Sequence, residues 1–258
     1  MMPGETWQTL RVATWNVHSC VGVDRRHDPA RTSEVVAELD ADIVALQEFR
    51  YPADIAIETR TPVVLTALES YECALGPTSL RDRDRQCYGN VLLTRHPIRA
   101  VRRIDLSHRR REPRGALLAT LDVRGLTLHV IATHLGLHLG ERRLQVGRIV
   151  ELVDELRDAF TVILGDFNDW LPGRSLVHVL DRRLGAAPPP RSFPVGFPLL
   201  ALDRIWAQPR GALRALGVHV TPLSRVASDH LPVVAQLDAP RPSAAALAWR
   251  PESAPITP

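Results

Sequence analysis

Two stretches of the chain repeat one plan, in which a strand, a helix and a second strand carry polar side chains at the strand ends. The segments are LRVATWNVH, RTSEVVAELDA and DIVALQE in the first unit, and LTLHVIATHLG, ERRLQVGRIVELVDELRDA and FTVILGD in the second. The same spacing separates Asn16 from Glu48 and His134 from Asp166. Because a helical crossover returns the second strand parallel to the first, the polar ends of each unit meet at one sheet edge. The pattern predicts an α/β protein with a single polar cleft.

The remaining strands favour antiparallel pairs within the same domain. Runs such as GNVLLT, ALLATLDV, LDRIWA and LPVVAQL are separated mainly by short turns. Each helix carries one apolar face, formed by Val35, Val36 and Leu39 in the first and by Leu144, Ile149, Val153 and Leu156 in the second. No linker interrupts the pattern before residue 238, so residues 1–238 are predicted to form one domain. The Pro/Ala/Ser-rich residues 239–258 are predicted to be a disordered tail.

The composition argues against several classes of protein. No apolar run approaches the roughly 20 residues of a membrane span, and the first residues lack the basic and apolar regions of a signal peptide. The cysteines Cys20, Cys73 and Cys87 form no CxxC pair, which argues against a disulfide framework or a structural zinc site. These features predict a protein of the reducing cytoplasm, and we expect it to be a monomer.

The basic residues give a weak signal for nucleic acid. Arginine supplies all 32 positive charges, yet the formal net charge is only +3. The arginine runs at 81–85 and 108–114 are either solvated loops or a rim that faces phosphate, since the guanidinium fork matches phosphate oxygens. A plain nucleic-acid-binding module is disfavoured, because the aromatic residues needed for base stacking make up only 5% of the chain.

The polar strand ends form a chemically coherent set, although each residue alone has a structural explanation. Asn16 could cap a turn, Glu48 could begin a helix, and His134 could be a hydrogen-bonded core residue. Asp203 lies inside the short apolar strand LALDRIWA and must find a partner or bear the cost of desolvation. Carboxylate oxygens suit magnesium or manganese better than zinc. His134 and His138 have the spacing of zinc ligands on a helix, but the glycines of HLGLHLG disfavour a helix there.

These groups match the requirements of phosphate-ester hydrolysis. The strand TVILGD delivers Asp166, Asn168 and Asp169 at its end, and the segment ASDHLPVV adds Asp229 and His230. A divalent ion, a carboxylate that orients water and a histidine held by an aspartate are the parts that this reaction needs. The residues therefore predict a phosphoesterase site.

The order of the motifs resembles that of the endonuclease/exonuclease/phosphatase superfamily, which has the deoxyribonuclease I-like fold. The matching motifs are TWNVH, LQE, YGNVLLTR, EPRGAL, ATHLG, GDFND, LDRIW and SDHLPV, and they lie within residues 10–237. GDFN together with SDHLPV is specific, whereas LQE alone is weak. The resemblance implies a four-layer α/β sandwich, in which two mixed β-sheets of about six strands each are flanked by helices.

The same resemblance implies a role for each matching residue. Asn16, Glu48 and Asp229 are implied to hold the metal. The implied catalytic residues are His134, Asp166, Asn168, Asp203 and His230. Among them, Asp166 orients or deprotonates the attacking water, Asn168 steadies the phosphate, and Asp203 pairs with His230, which is either a base or a charged phosphate clamp. Phosphate contacts are assigned first to Arg114 and then to Arg111 and Asn90.

Two positions depart from the abasic-site endonuclease branch of the superfamily. His18 stands where that branch usually has an aspartate. His134 is similar to the histidine of the deoxyribonuclease I, sphingomyelinase and inositol-phosphatase branches. A role in base-excision repair is therefore disfavoured.

The leading hypothesis is a phosphodiesterase that depends on Mg²⁺ or Mn²⁺ and uses in-line attack by water. The expected substrate is a phospholipid or another small phosphodiester, because the segment between GDFND and LDRIW contains proline and phenylalanine rather than a long basic loop. FPVGFP is either a cover for the core or an apolar lip for a lipid-like group. The alternative is an endonuclease or exonuclease that acts on DNA. An inactive binding scaffold is least favoured, because Glu48, Asp166, Asp203 and His230 are all retained.

Overall fold

The computed structural model describes residues 7–52, 70–81, 86–170, 175–185 and 187–240. Residues 82–85 of the first arginine run lie outside the described residues, as does the predicted tail beyond residue 240. The strands are β1 (Trp7–Asn16), β2 (Ile43–Pro52), β3 (Glu72–Arg81), β4 (Gln86–Thr94), β5 (Ile98–Asp105), β6 (Gly115–Val123), β7 (Leu126–His134), β8 (Phe160–Asp166), β9 (Asp203–Gln208), β10 (Leu213–Val218) and β11 (Val233–Pro240). The helices are α1 (Pro29–Leu39), α2 (Leu139–Glu155), α3 (His178–Leu184) and α4 (Ser224–Ala227), and a short 3₁₀ turn spans His18–Cys20.

The strands form two mixed sheets. One sheet has six strands in the order β10-β11-β1-β2-β4-β3, and the other has five strands in the order β5-β6-β7-β8-β9. Each sheet contains one parallel pair, β1 with β2 and β7 with β8, and its other pairs are antiparallel. The expectation of about six strands in each sheet is correct for the first sheet. Within the described part of the chain, the second sheet has one strand fewer.

Three apolar clusters separate four layers. The central cluster lies between the sheets and joins residues such as Val12 of β1 to Val162 of β8. A second cluster packs Val36 and its neighbours in α1 on the outer face of the first sheet, and a third packs Ile149 and its neighbours in α2 on the outer face of the second. The predicted four-layer α/β sandwich is confirmed. None of the described helices has both the length and the apolar character needed to cross a bilayer.

Both predicted strand–helix–strand units are present. Helices α1 and α2 connect the two parallel strand pairs, and Asn16, His134 and Asp166 are the last residues of their strands. Helix α1 begins after Asp28, whose carboxylate accepts a hydrogen bond from a backbone N–H of the first turn, and Pro29 occupies the first helical position. The local sequence therefore sets where the crossover helix starts.

The apolar face of α2 differs from the expected one at Leu144. The buried apolar residues of the helix are Val146, Ile149, Leu152 and Val153, whereas Leu144 is exposed. Leu144 lies five residues before Ile149, which places it about 140° away around the helix. The packing face is therefore centred on Ile149, and Leu144 is free to face solvent.

The end of β11 extends the domain slightly beyond the predicted boundary. Ala239 and Pro240 continue the strand past residue 238, and they pair with Gln8 and Trp7 of β1. The assignment of residues 241–258 to a tail stays a prediction, because these residues lie outside the described part of the chain.

The sheet edge at which His134 and Asp166 end their strands depends on a close approach of β7 and β8 at Gly165. Gly165 precedes Asp166, has a φ of 152°, and lies against the backbone of Thr133. A Cβ atom at this position would stand 2.0 Å from the carbonyl oxygen of Thr133, a distance that no side chain tolerates. The glycine thus permits the register in which His134 pairs with Asp166.

We expect Gly165→Ala to lower the free energy of unfolding by about 3 kcal/mol, because the added carbon forces the strands apart. Gly147→Ala in α2 is the matched control, since a Cβ there meets nothing within 4 Å. The control should be stabilised by up to about 1 kcal/mol, as expected for glycine replaced in a helix interior. Urea denaturation followed by circular dichroism measures both changes. Equal stability of the two variants would contradict the close approach.

Candidate active site

The edge at which β1, β2, β7 and β8 end opens into a pocket of about 470 Å³. Its polar lining consists of Asn16, Glu48, Tyr88, Glu112, Arg114, His134, Asp166, Asn168 and His230. Its apolar lining consists of Leu137, Trp170, Phe193, Leu200 and Leu202. The structure therefore brings most of the predicted site residues together in one place.

Three site residues are direct cross-strand neighbours. His134 pairs with Asp166 across β7 and β8, and Asp166 pairs with Asp203 across β8 and β9. Both aspartates are buried. Like charges on directly paired residues are destabilising, so this arrangement requires a cation close to both carboxylates.

His230 occupies the position that such a cation needs. Its Nδ1 lies 2.9 Å from Oδ2 of Asp203, and its Nε2 lies 3.9 Å from Oδ2 of Asp166. The hydroxyl of Ser192 donates to the same oxygen of Asp203, and the ring of Phe193 lies 4.7 Å from the imidazole. The imidazole is thus fixed with Nδ1–H on Asp203 and Nε2 on the side of Asp166.

His134 is held in its neutral form by Asn168. The side-chain amide nitrogen of Asn168 donates to the carbonyl oxygen of Leu135 at 3.0 Å and lies 3.1 Å from Nε2 of His134. A carbonyl oxygen only accepts, so this amide group must be the donor on both sides. Nε2 of His134 therefore accepts a hydrogen bond and carries no proton.

The pKa values of the two buried histidines move in opposite directions. Burial lowers the pKa of His134 to about 3, although the Asp166 carboxylate acts to raise it. Burial also acts to lower the pKa of His230, but the charge and hydrogen bond of Asp203, together with the charge of Asp166, outweigh it and raise that pKa to about 10. At neutral pH the pocket therefore contains one neutral imidazole and one imidazolium.

Unusual backbone conformations direct several of these side chains. Glu48 lies in a bulge of β2, where the register with β4 shifts between Leu46 and Phe49, and has a φ of 58°. Asn168 has a φ of 49°, and the turn His18–Cys20 that follows β1 is left-handed throughout. Left-handed conformations are uncommon for residues other than glycine and cluster at functional sites. Glu48 and Asn168, whose side chains line the pocket, are two of the described non-glycine residues that adopt this conformation.

Asn16 connects the carboxylates of the two strand–helix–strand units. Its amide nitrogen donates to Oε1 of Glu48 and to Oδ2 of Asp166, both at 3.0 Å. Its side-chain oxygen accepts the backbone N–H of His18 at 3.0 Å. Nε2 of the neutral His134 lies 3.9 Å from Glu48 and 3.6 Å from Asp166. The polar ends of the two units thus meet as the sequence predicts.

The donor set fits a hard divalent cation at the Glu48 end of the pocket. Among its described contacts Glu48 meets Asn16, Tyr88 and His134, which are all neutral, so its charge has no cationic partner among them. Ligand atoms of Asp166, Asp203 and His230 also lie within 4.8 Å of one another. That group is less suited to a metal, because Nδ1 of His230 is bound to Asp203 and the ring is already charged. Oxygen ligands and the absence of cysteine at the site favour Mg²⁺ or Mn²⁺.

Asp229 lies apart from this donor set. Its carboxylate is 3.9 Å from Nδ1 of His18 and 3.4 Å from the hydroxyl of Ser228. It does not line the pocket that contains Asn16 and Glu48. The metal-binding role implied for Asp229 therefore stays a prediction.

The three implied phosphate contacts have different positions. Arg114 is buried in the pocket wall, where one guanidinium nitrogen donates to Glu112 and the buried Nε has no partner among the described residues. Arg111 is exposed and lines a neighbouring cavity of about 260 Å³ rather than the pocket. Asn90 is buried beside Arg114, and its amide nitrogen donates to the carbonyl oxygen of Gly115. Arg114 is the one of the three that faces the catalytic pocket.

Asp169, the second aspartate of GDFND, organises the following loop. One carboxylate oxygen accepts the hydroxyl of Ser175 and the backbone N–H groups of Leu176 and Val177. The family motif implied a site role for Asp166 and none for Asp169, and of the two only Asp166 lines the pocket.

Several pocket residues were missed by the sequence analysis. Tyr88 is the first residue of the motif YGNVLLTR, and Glu112 lies within the arginine run 108–114, but the sequence assigned neither to the site. The apolar lining was also unassigned, although the segment FPVGFP had suggested an apolar lip. These residues come from loops and strands far apart in the sequence, so no local pattern identifies them.

The comparisons with known proteins agree with this fold. The Endonuclease/Exonuclease/phosphatase family matches residues 13–230. The chain is 31% identical over 256 residues to the uncharacterized protein YbhP of Escherichia coli (strain K12), covering 92% of this chain and 99% of the relative. A crystal structure of an endonuclease/exonuclease/phosphatase from Beutenbergia cavernae DSM 12333 has a TM-score of 0.69 at 25% identity, covering 89% of this chain and 71% of that one.

A further structural neighbour is D. rerio TDP2 in complex with a single-strand DNA product, with a TM-score of 0.64 at 18% identity, covering 89% of this chain and 98% of that one. At this identity the likeness shows the fold. Members of the matched family are typically hydrolases of the phosphodiesterase, nuclease or phosphatase type. The matched span contains Asn16, Glu48, His134, Asp166, Asp203 and His230, and so the chain belongs to the Endonuclease/Exonuclease/phosphatase family.

Proposed function

We propose that the protein is a divalent-metal-dependent phosphodiesterase whose substrate is a phospholipid or another small phosphodiester. The observation that carries this proposal is the contact between Nε2 of the charged His230 and Oδ2 of Asp166, at 3.9 Å. A phosphate oxygen bound by His230 would lie beside a carboxylate able to activate water. The two groups that in-line hydrolysis needs are thus adjacent in one pocket.

Glu48 and Asp166 would hold Mg²⁺, or Mn²⁺ in its place, and Asn16 would join them as a ligand if its amide turned to present Oδ1, which here accepts the backbone N–H of His18. The bound cation would neutralise charge that develops on the phosphate oxygens during the reaction. Members of the family are generally dependent on divalent metals. The uncompensated carboxylate of Glu48 supports the same dependence for this chain.

Asp166 is assigned to the attacking water. Its Oδ1 accepts the backbone N–H of Asn168 at 3.0 Å, and its Oδ2 accepts the amide of Asn16. These two bonds fix the plane of the carboxylate, so that a water hydrogen-bonded to it has a defined direction of approach. The carboxylate takes the water proton as the water oxygen bonds to phosphorus. The bond from phosphorus to the ester oxygen breaks, and the departing ester oxygen takes up a proton from solvent.

His230 and Arg114 are assigned to the phosphate. His230 presents Nε2–H because Asp203 already holds Nδ1–H, and its raised pKa keeps the ring charged at neutral pH. This supports the phosphate-clamp role rather than the base role for His230, since an imidazolium has no lone pair to accept a proton. Arg114 offers a second cation. Asn168 donates both amide hydrogens to Leu135 and His134, so in this structure it positions His134 and has no amide hydrogen left for the phosphate.

The apolar lining supports a small or lipid-like substrate. Trp170, Phe193 and Leu200 stand in the same pocket as the catalytic groups, where they suit an apolar or aromatic substituent of the phosphate. A formal net charge of +3 gives little long-range attraction for a DNA duplex. The second candidate is a nuclease, favoured by the exposed residues Arg109, Arg110 and Arg111 near the pocket and by the fold that the chain shares with DNA-bound TDP2.

The proposed setting of the enzyme is the cytoplasm, and we propose that it acts as a monomer. The free thiols of Cys20, Cys73 and Cys87 support a reducing compartment. Burial raises the pKa of the Cys20 thiol to about 11 and that of Cys73 to about 12, which keeps both thiols protonated and unreactive.

We expect hydrolysis to vanish in a chelator and to return with Mg²⁺ or Mn²⁺. Glu48→Gln should raise the metal concentration needed for half-maximal rate, because it removes a charged ligand. Glu38→Gln is the matched control, since Glu38 accepts a hydrogen bond from the hydroxyl of Thr221 and does not line the pocket.

Initial rates are measured on a chromogenic diester, phospholipid, inositol phosphates, single-stranded DNA and plasmid, at low and physiological salt. Undiminished activity in the chelator would exclude the metal role, and fast plasmid cleavage with the other substrates inert would favour the nuclease.

The charge states of the two histidines are tested directly by imidazole ¹⁵N NMR on metal-free protein. We expect His230 to stay protonated throughout the neutral range and to lose its proton only as the pH approaches its pKa of about 10. His134 should stay neutral over the same range, because its pKa lies near 3. In Asp203→Asn the pKa of His230 should fall from its raised value, since burial is then opposed only by the charges of Asp166 and Asp229. A neutral His230 in the wild-type protein at neutral pH would contradict the clamp role.

Asp203→Asn and His230→Ala should each lower kcat by about a hundredfold or more, as expected for groups that act on the reacting phosphate. The double variant should lose little beyond the worse single variant, because Asp203 acts through His230. Asp154→Asn, which removes an exposed partner of Arg183, is the control and should leave kcat unchanged. Fully additive losses would show that the two residues act independently.

A further inference from the structure

Large apolar side chains are exposed around the mouth of the pocket. They are Leu137 (58% exposed), Trp170 (37%), Phe197 (71%) and Leu199 (52%), and we call this set the apolar rim. Leu137 and Trp170 line the pocket, and Phe197 and Leu199 belong to the loop whose residues Phe193 and Leu200 line it. Eight large apolar side chains are exposed among the described residues, and four of them belong to the rim. Such a concentration beside a site marks an interaction surface.

The loop that carries Phe197 and Leu199 is firmly held. The backbone N–H groups of Leu199 and Leu200 donate to the carbonyl oxygen of Phe193, and Val195 is buried with its N–H on the carbonyl oxygen of Asp229. The fold thus anchors this loop against the SDHLPV segment and still leaves the ring of Phe197 in solvent. Because the ring stays in solvent, it adds nothing to the buried core, and its position does not stabilise the fold.

The other side of the rim is supported by the buried Arg142. Its guanidinium lies 4.8 Å from the ring centroid of Trp170 and donates to the carbonyl oxygens of Gly136 and Leu137. One side chain therefore holds both Trp170 and the backbone that presents Leu137. The rim is a preformed surface built from three separate segments, which follow β7, follow β8 and precede β9.

A basic surface continues from the apolar rim. Leu137 lines both the pocket and the neighbouring cavity of about 260 Å³, whose lining also includes Arg110, Arg111 and His138. Arg109, Arg110 and Arg111 are all exposed. Apolar side chains flanked by arginine are the combination that binds the interface of an anionic bilayer, where the apolar groups enter the acyl boundary and the cations meet lipid phosphates.

We propose that the apolar rim and the arginines 109–111 dock the protein on the surface of an anionic lipid bilayer, with the pocket facing the headgroups. This inference rests on the proposed function, which supplies the choice of a lipid substrate. Docking at the bilayer interface would bring the pocket to the level of the headgroups, where the phosphodiester of a phospholipid lies. Nucleic acid fits the rim less well, since Trp170 and Phe197 offer rings on which a base could stack but the leucines between and beside them do not.

Docking is measured without turnover by flotation of Asp166→Asn protein with vesicles. Vesicles of phosphatidylcholine that contain phosphatidylglycerol should retain the protein, and vesicles of phosphatidylcholine alone should retain much less. Phe197→Ser combined with Leu199→Ser should weaken vesicle binding by about tenfold or more, as expected for the loss of two inserted apolar groups. Arg109→Ala combined with Arg110→Ala should remove the preference for anionic vesicles.

Trp7→Ser is the matched control, because Trp7 is also an exposed aromatic residue. It begins β1, whereas Asn16 of the pocket is at the opposite end of that strand. In the otherwise wild-type enzyme, Phe197→Ser with Leu199→Ser should leave hydrolysis of a soluble chromogenic diester unchanged and slow hydrolysis of vesicle phospholipid. Vesicle binding that is absent, or equal for the rim variant and the Trp7 control, overturns the docking surface. Binding of a single-stranded oligonucleotide that depends on Phe197 while vesicles are not bound also overturns it.

The proposed docking and the proposed hydrolysis fail in distinguishable ways. If the chromogenic diester is cleaved and vesicles are not bound, docking is wrong and the phosphodiesterase stands. If vesicles are bound through the rim and no diester is cleaved under any metal condition, the docking surface is supported and the proposed activity is wrong.

Discussion

The site depends on charge balance between two buried aspartates that are direct cross-strand partners. Asp166 and Asp203 face each other across β8 and β9, and His230 lies within 2.9 Å of one and 3.9 Å of the other. His230 belongs to the segment that leads into β11 of the first sheet, whereas both aspartates belong to the second sheet. The indole N–H of Trp15 in β1 donates to the carbonyl oxygen of His230. Charge balance therefore ties the two sheets together at the pocket.

The two parallel strand pairs place the other groups within reach of this centre. A parallel pair ends both strands at the same edge, and the central apolar cluster holds the two edges side by side. Residues at that edge adopt strained conformations, with Glu48 and Asn168 in the left-handed region and Gly165 pressed against Thr133. The close-packed interior beneath them resists relaxation of this strain. A rigid sandwich is thus the condition for a strained and preorganised edge.

The pocket is built partly from residues at strand ends and partly from residues in loops. The polar pocket residues Asn16, His134 and Asp166 stand at strand ends. The apolar lining and rim come from the loops that follow β7 and β8 and precede β9, with Leu137, Trp170 and Phe193 as their members in the pocket. Loops vary without disturbing the sheets, so they are the natural location of substrate preference. The chemistry and the proposed choice of substrate therefore rest on different parts of the chain.

The sequence by itself determined the two strand–helix–strand units, the strand ends that carry Asn16, His134 and Asp166, and the family to which the chain belongs, but it placed Glu48 at a strand end, whereas β2 continues past Glu48 to Pro52. These features are local, since strand and helix periodicity and strand-end position are read from neighbouring residues. The tertiary structure alone decided that His134 is neutral while His230 is charged, because burial and the carboxylate partner act through space. It also decided that Arg114 rather than Arg111 faces the pocket, that Leu144 is exposed, and that the apolar rim surrounds the mouth. Each of these depends on contacts between residues distant in the sequence, and no local pattern encodes such contacts.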